Sequence, residues 1–200
     1  TPAVMATAGG TPMSGNIESR KREHIDTVLN EDVGAKGVSS GFDGYFFEHS
    51  ALPETDLAAV DMSTRLFGRT LRAPLLISSM TGGTEAARDI NLRLAETAAA
   101  LGIAMGVGSQ RAALEEPVFA DTFQVRRVAP DILLFANIGA VQLNYGYGLD
   151  EARRAVEMIE ADALFLHLNP LQEAVQTNGD RNWSGLLAKI EAVARSLDVP

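Results

Sequence analysis

A parallel α/β fold is what the sequence predicts, on three observations. Four short apolar runs, Pro74–Ser79, Ile103–Gly108, Ile132–Asn137 and Ala163–Leu168, recur along the chain. Their spacing is about thirty residues, the length of one strand–helix unit. Each run is rich in Leu, Ile, Val or Phe and nearly free of charge, as strands buried on both faces require. Helical stripes fill the gaps, and strict alternation of strand and helix implies a parallel sheet with right-handed crossovers.

The elements follow in order. Residues 1–16 are small, Gly/Pro-rich and aperiodic, a tail or processed start. Residues 17–30 read as a basic helix with Ile25, Val28 and Leu29 on one side, and residues 31–56 as Gly-rich loop. Ala59–Leu66 alternates like a strand and runs into a turn at Gly68-Arg69, a hairpin suited to closing the bottom of a barrel. After the first apolar run, Ala86, Ile90, Leu94, Ala98 and Leu101 make a stripe, capped by Thr84 and stopped by Gly102. After the second, Pro117 opens a helix through Phe119, Phe123 and Val128 that ends on Arg126 and Arg127. The third gap has Asp150 as cap, then Ala152, Ala155, Val156 and Ile159; the fourth has Leu186, Ile190, Val193 and Leu197. Four such units make an open doubly wound sheet or half of a (β/α)8 barrel. A barrel needs about 250 residues, and a fifth strand is due at Val199, so the chain reads as the first half of a longer protein.

Composition narrows the function. The 200 residues carry 17 Lys and Arg against 26 Asp and Glu, a net charge of −9. Such a surface repels a polyphosphate backbone, which argues against nucleic acid as partner. No apolar run reaches membrane-spanning length. Cys is absent, which excludes thiolate metal sites and Cys nucleophiles and suits a reducing cytoplasm.

Ligands of parallel βα folds sit beyond the carboxyl ends of the strands. Those ends here are Ser78-Ser79-Met80-Thr81-Gly82-Gly83-Thr84, Gly108-Ser109-Gln110-Arg111, Asn137-Ile138-Gly139 and His167-Leu168-Asn169-Pro170-Leu171-Gln172-Glu173. Paired glycines let a backbone approach a flat or anionic ligand, or simply make a tight turn. Ser109 and Arg111, two apart, fit one side of an extended segment. Arg111 is then a phosphate clamp, or a surface partner of Glu115 or Glu116. Asn137 suits a heterocycle offering a carbonyl and an N–H, or caps a turn. His167 and Asn169 reach one pocket, or His167 only bonds a neighbouring carbonyl. Glu173 is a hard oxygen ligand for Mg²⁺ or an ordinary helix-start acid. Arg20, Lys21 and His24 share a helix face that is either a diphosphate site or a solvated charged face.

Taken together, the strings R-K-R-E-H-I, S-S-M-T-G-G-T, G-S-Q-R, A-N-I-G and H-L-N-P-L-Q-E, in this order, resemble the type 2 isopentenyl-diphosphate isomerase family. The resemblance spans Arg20 to Glu173 and covers the N-terminal half of that family's length. It implies a TIM barrel, with residues 17–200 supplying the N-terminal helix, the hairpin and the first four βα units. It implies reduced FMN, Mg²⁺ and NADPH as reductant, and interconversion of isopentenyl and dimethylallyl diphosphate by an allylic proton shift. It implies that the flavin acts as acid and base, with no protein residue assigned that role. It also implies a homo-oligomer, tetramer or octamer. Ser78, Ser79, Met80, Thr81, Ser109 and Asn137 match flavin-lining positions. Arg20, Lys21, Ser109, Gln110, Arg111, His167, Asn169 and Gln172 match substrate contacts, and Glu173 the Mg²⁺ ligand. The FMN-phosphate site is expected beyond Pro200, so the 200 residues alone are expected not to turn over. Two other functions compete: another FMN barrel enzyme such as an α-hydroxy-acid oxidase, and a non-catalytic half-barrel binding a phosphorylated ligand.

Overall fold

The computed structural model describes residues 23 and 25–200. Arg20, Lys21 and His24, the expected diphosphate face, lie outside the described residues. Residues 25–30 are helical (α1). The alternating segment forms its strand only over Thr64–Leu66 (β1), because Asp61 folds back to accept the Ser63 N–H at 2.8 Å and breaks the extended run. β1 pairs antiparallel with Arg69–Leu71 (β2). The two-residue turn between them places Phe67 at φ 47° and Gly68 at φ 79°, the left-handed pair that a tight hairpin needs.

Four parallel strands follow in the order β3-β4-β5-β6: Leu76–Ile77, Ala104–Gly106, Leu134–Gly139 and Ala163–His167. Each strand neighbours the next in sequence, the succession of a barrel wall, with no reversal of the kind a doubly wound sheet carries. The third strand starts two residues later than its apolar run suggests, so Asn137 stands inside β5 rather than at its end. The carbonyl of Pro200 accepts from Leu164 N–H at 2.9 Å, which brings the chain back to the outer edge of β6.

The helices are Glu85–Leu101 (α2), Arg111–Glu115 (α3), Leu149–Met158 (α4), Pro170–Val175 (α5) and Leu186–Ser196 (α6). Thr84 caps α2 through Ala87 N–H at 3.1 Å, and Gly102 at φ 65° ends it. The buried face of α2 is Ala87, Asn91, Ala95 and Ala98, one residue round from the apolar stripe; small side chains let the helix lie close to the sheet. The helix expected from Pro117 does start there, but it is a 3-10 helix that ends at Phe123, short of Val128, and a separate helix, α3, precedes it. Pro117 forces Glu116 to an extended backbone (φ −133°), so α3 stops there and a 3-10 helix takes Pro117–Phe123. α4 is capped at Gly148, not at Asp150: the Glu151 carboxylate accepts the Gly148 N–H at 2.8 Å.

Strand alternation separates two cores. Met105, Leu134, Ala136 and Ile138 point outward into the helix layer with Phe123, Ala152, Ala155 and Val193. Ala104, Phe135 and Ala163 point inward with Leu71 of the hairpin. Phe135 stacks on Phe165 with centroids 4.4 Å apart, and Phe67 meets Phe135 edge-on. Arg69 ties the hairpin to Asp162, just ahead of β6, at 2.7 Å. The hairpin therefore sits at the amino ends of the strands and leaves their carboxyl ends open.

Candidate active site

The strands' carboxyl ends enclose one cavity of about 580 Å³. Alternation puts Leu76 and Ser78, Asn137 and Gly139, and Phe165 and His167 on its wall, from β3, β5 and β6 with their exits. Gly106 keeps this wall open: a Cβ there would lie 2.8 Å from Ser79 Oγ and 2.9 Å from the Phe165 ring. Ser79, Met80, Ser109, Arg111, Asn169, Gln172 and Glu173 complete the rim among the residues expected from sequence. Gln142, from a 3-10 turn over Ala140–Asn144, and Gln176 also line it. Neither carried a charge or a spacing signal by which the sequence could single it out.

Two expected residues stand elsewhere. Thr81 is buried outside the cavity wall, where its carbonyl accepts from Gly108 N–H at 3.2 Å and from the Asn91 amide at 3.2 Å. The Gly82-Gly83 pair serves packing: a Cβ on Gly82 would lie 1.9 Å from the Phe123 ring, and Gly83 adopts φ +85°. Gln110 is fully buried and faces the helix layer. Its Oε1 accepts from Asn137 N–H at 2.9 Å and its Nε2 donates to the Ala155 carbonyl at 2.8 Å. It latches β5 to α4, behind the wall rather than on it.

Arg111 is the first residue of α3, not part of an extended segment, and it pairs with Glu115, one of the two carboxylates expected. Nε bonds Glu115 at 2.8 Å and Nη1 bonds Asp180 at 2.7 Å, while the side chain still lines the cavity. Burial works against its charge, but Glu115 and Asp180 outweigh this and hold its pKa above the ordinary value. Tyr147, beside Glu115, is pushed up to about 12 by burial and by that carboxylate. His167 Nδ1 lies 2.7 Å from Asn137 Oδ1, an arrangement in which Nδ1 carries a proton and donates it to the amide. Glu173 is buried; Asn169 Nδ2 donates to its Oε1 at 2.9 Å and Asp180 N–H to its Oε2 at 2.8 Å.

The wall fits the flavin ring and the magnesium ion that the resemblance implies. Among the described residues Ser79 Oγ is buried without a hydrogen-bond partner, and a polar heterocycle would supply one. Asn169 Oδ1 and Gln176 Oε1, on the Glu173 side, are likewise buried with no partner among the described residues. Among the described residues no three His, Asp or Glu cluster to hold a metal alone. A hard cation there would take Glu173, neutral amide oxygens, water and its ligand's own oxygens. The balance of charge points the same way. Among the described residues Arg111 already pairs with Glu115 and Asp180, which leaves little of its charge to offset a diphosphate beside Glu173, so cations would have to accompany one.

Residues 13–129 match the family described as FMN-dependent dehydrogenase. The chain is 66% identical over 181 residues to an isopentenyl-diphosphate delta-isomerase of Synechocystis sp., covering 90% of this chain and 52% of that protein. It is 58% identical over 185 residues to the protein of that name from Cronobacter sakazakii (92% and 53%). It is 54% identical over 181 residues to that of Rickettsia bellii (90% and 53%). The chain spans about half the length of the curated relatives it matches.

Proposed function

Because this chain belongs to the FMN-dependent dehydrogenase family, we propose that the protein carrying it isomerises isopentenyl diphosphate to dimethylallyl diphosphate. The observation that carries this reading is convergence. Ser79, Asn137, His167, Asn169 and Glu173, from three strands and their exits, line one cavity with a polar side suited to a ring and an oxygen-rich side around Glu173. Its support from outside the structure is the name shared by the relatives. In this reading the eight-stranded barrel is closed by strands that continue the order β3 to β6, the first of them beside β6 where Pro200 pairs with Leu164.

Reduced FMN, when bound, supplies a proton donor and acceptor next to an electron-rich ring, which suits a reaction with no net redox change. The chain's own residues do the rest. Ser79 and Asn137, with Ser78, Met80 and Ser109 around them, hold and orient the ring. His167 fixes the Asn137 amide through Nδ1. Phe165 excludes water from the prenyl end, where a carbocation-like centre must form. Asn169, Gln172 and Glu173, with Mg²⁺, take the diphosphate together with Arg111 and the Arg20-Lys21 pair. NADPH as reductant, a cytoplasmic location and assembly into a tetramer or octamer belong to the same reading. Among the described residues no helix is long and apolar enough to cross a membrane.

The test is anaerobic incubation of the full-length protein with reduced FMN, Mg²⁺ and isopentenyl diphosphate, followed by proton NMR. Appearance of dimethylallyl diphosphate is expected. Peroxide release from α-hydroxy acids without isomerisation would assign the cavity to a hydroxy-acid oxidase instead. A full-length protein that takes up no flavin would leave only the phosphorylated-ligand binder.

A further inference from the structure

We propose that Asp180 is the positioning residue of the cavity's anion-binding side, holding Arg111 and Glu173 in the orientations that receive a magnesium diphosphate. This rests on the function proposed above. Asp180 stands behind the wall, its side chain 14% exposed. Its Oδ2 accepts from Arg111 Nη1 at 2.7 Å and from Gln142 Nε2 at 2.9 Å, and its backbone N–H donates to Glu173 Oε2 at 2.8 Å. The three partners line the cavity and come from three elements: α3, the 140–144 turn and α5. No other described residue bonds side chains from all three.

The loop after α5 is shaped to deliver it. Asn178 adopts φ 57°, and at Gly179 a Cβ would lie 2.0 Å from the Glu173 carbonyl oxygen. Only a residue without a side chain lets the loop press this closely on α5, and that closeness brings the Asp180 N–H to the Glu173 carboxylate. The second bond on each partner completes the constraint: Glu115 takes Arg111 Nε, and Asn169 takes Glu173 Oε1. Arg111 Nη2 makes no hydrogen bond among the described residues and is the donor left for a ligand. Asp180 thus gives up part of the Arg111 charge in exchange for a fixed direction, as preorganised anion sites do.

The test uses the full-length FMN-loaded protein and Asp180→Asn, which preserves shape and the backbone bond to Glu173 but removes the charge. Calorimetric titration with magnesium pyrophosphate is expected to show about tenfold weaker binding, the scale of one lost charge-assisted bond. KM for isopentenyl diphosphate should rise by a similar factor, with kcat changed less than about threefold and the flavin content and spectrum unmoved. In an Arg111→Ala background the same substitution should add less than about twofold, since Asp180 acts through Arg111. Additive effects in the double variant, unchanged pyrophosphate binding, loss of flavin or loss of folding in Asp180→Asn would each overturn the proposal. Absence of isomerase activity in the unsubstituted protein would instead overturn the function, and the pyrophosphate titration would still judge Asp180.

Discussion

Gln110 separates what the sequence suggests from what the packing dictates, and Gln110→Leu measures the difference. Its amide is fully buried and bonds the Asn137 N–H at 2.9 Å and the Ala155 carbonyl at 2.8 Å. Ala155 lies in the last turn of α4, where carbonyls lack a helical partner; the Gln124 amide serves Met158 in the same way. Leucine fits the space but leaves one buried N–H and one buried C=O unpaired. Each costs about 1–3 kcal/mol, and the added apolar burial offsets about 1, so a net loss of about 3 kcal/mol is expected. In a full-length protein of the relatives' size, about twice this chain, that lowers Tm by about 3–6 °C. The assay is thermal unfolding of the full-length protein alongside steady-state kinetics at a temperature where both forms are folded. KM for the diphosphate should stay within about twofold of the unsubstituted protein, because Gln110 does not reach the cavity. An unchanged Tm with a strongly raised KM would refute this reasoning and return Gln110 to the substrate contacts that the resemblance implied.

Three further outcomes are expected. Gly82→Ala puts a methyl 1.9 Å from the Phe123 ring, so the turn under Ser79 must shift; a loss of about 1–3 kcal/mol by denaturant unfolding is expected, together with weaker FMN binding. Asp162 is partly buried, which alone would raise its pKa, but the Leu134 N–H, Arg126 and Arg69 outweigh this and hold it below the ordinary value. Its contribution is therefore complete above the unfolded pKa of about 3.9 and is lost as pH falls through the lower folded value. The Tm gap between the unsubstituted protein and Asp162→Asn should be constant at neutral pH and close below about pH 4. Glu173→Gln removes the buried charge between Asn169 and Asp180, so half-maximal activity should need at least about tenfold more Mg²⁺, with flavin affinity unchanged, as a magnesium titration would show.

Much of this architecture is legible from residues alone. Buried parallel strands are unbroken apolar runs, so their number and order could be read directly, as could Thr84 and Gly102 at the ends of α2. Boundaries were less legible. Ile132 and Leu133 look like strand but precede β5, and the helical spacing from Phe119 to Val128 outruns the 3-10 helix, which ends at Phe123. The strand ends pointed to the cavity because small polar residues there have no reason to follow apolar runs in a mere core. Side-chain direction was not legible: Gln110 and Ser109 are adjacent, yet one faces the helices and the other the cavity. Asp180, Gln142 and Gln176 were missed because a loop and a 3-10 turn bring them in, with no periodicity to mark them.

The central claim is that a single cavity receives both the flavin ring and the magnesium diphosphate, and one titration addresses it directly. Isopentenyl diphosphate is added to the full-length FMN-loaded protein while the flavin absorption spectrum is followed, with and without Mg²⁺. A saturable spectral change that requires Mg²⁺ and disappears in Glu173→Gln is the expected result. Substrate binding detected by calorimetry while the flavin spectrum stays still would place the two ligands apart and contradict the account.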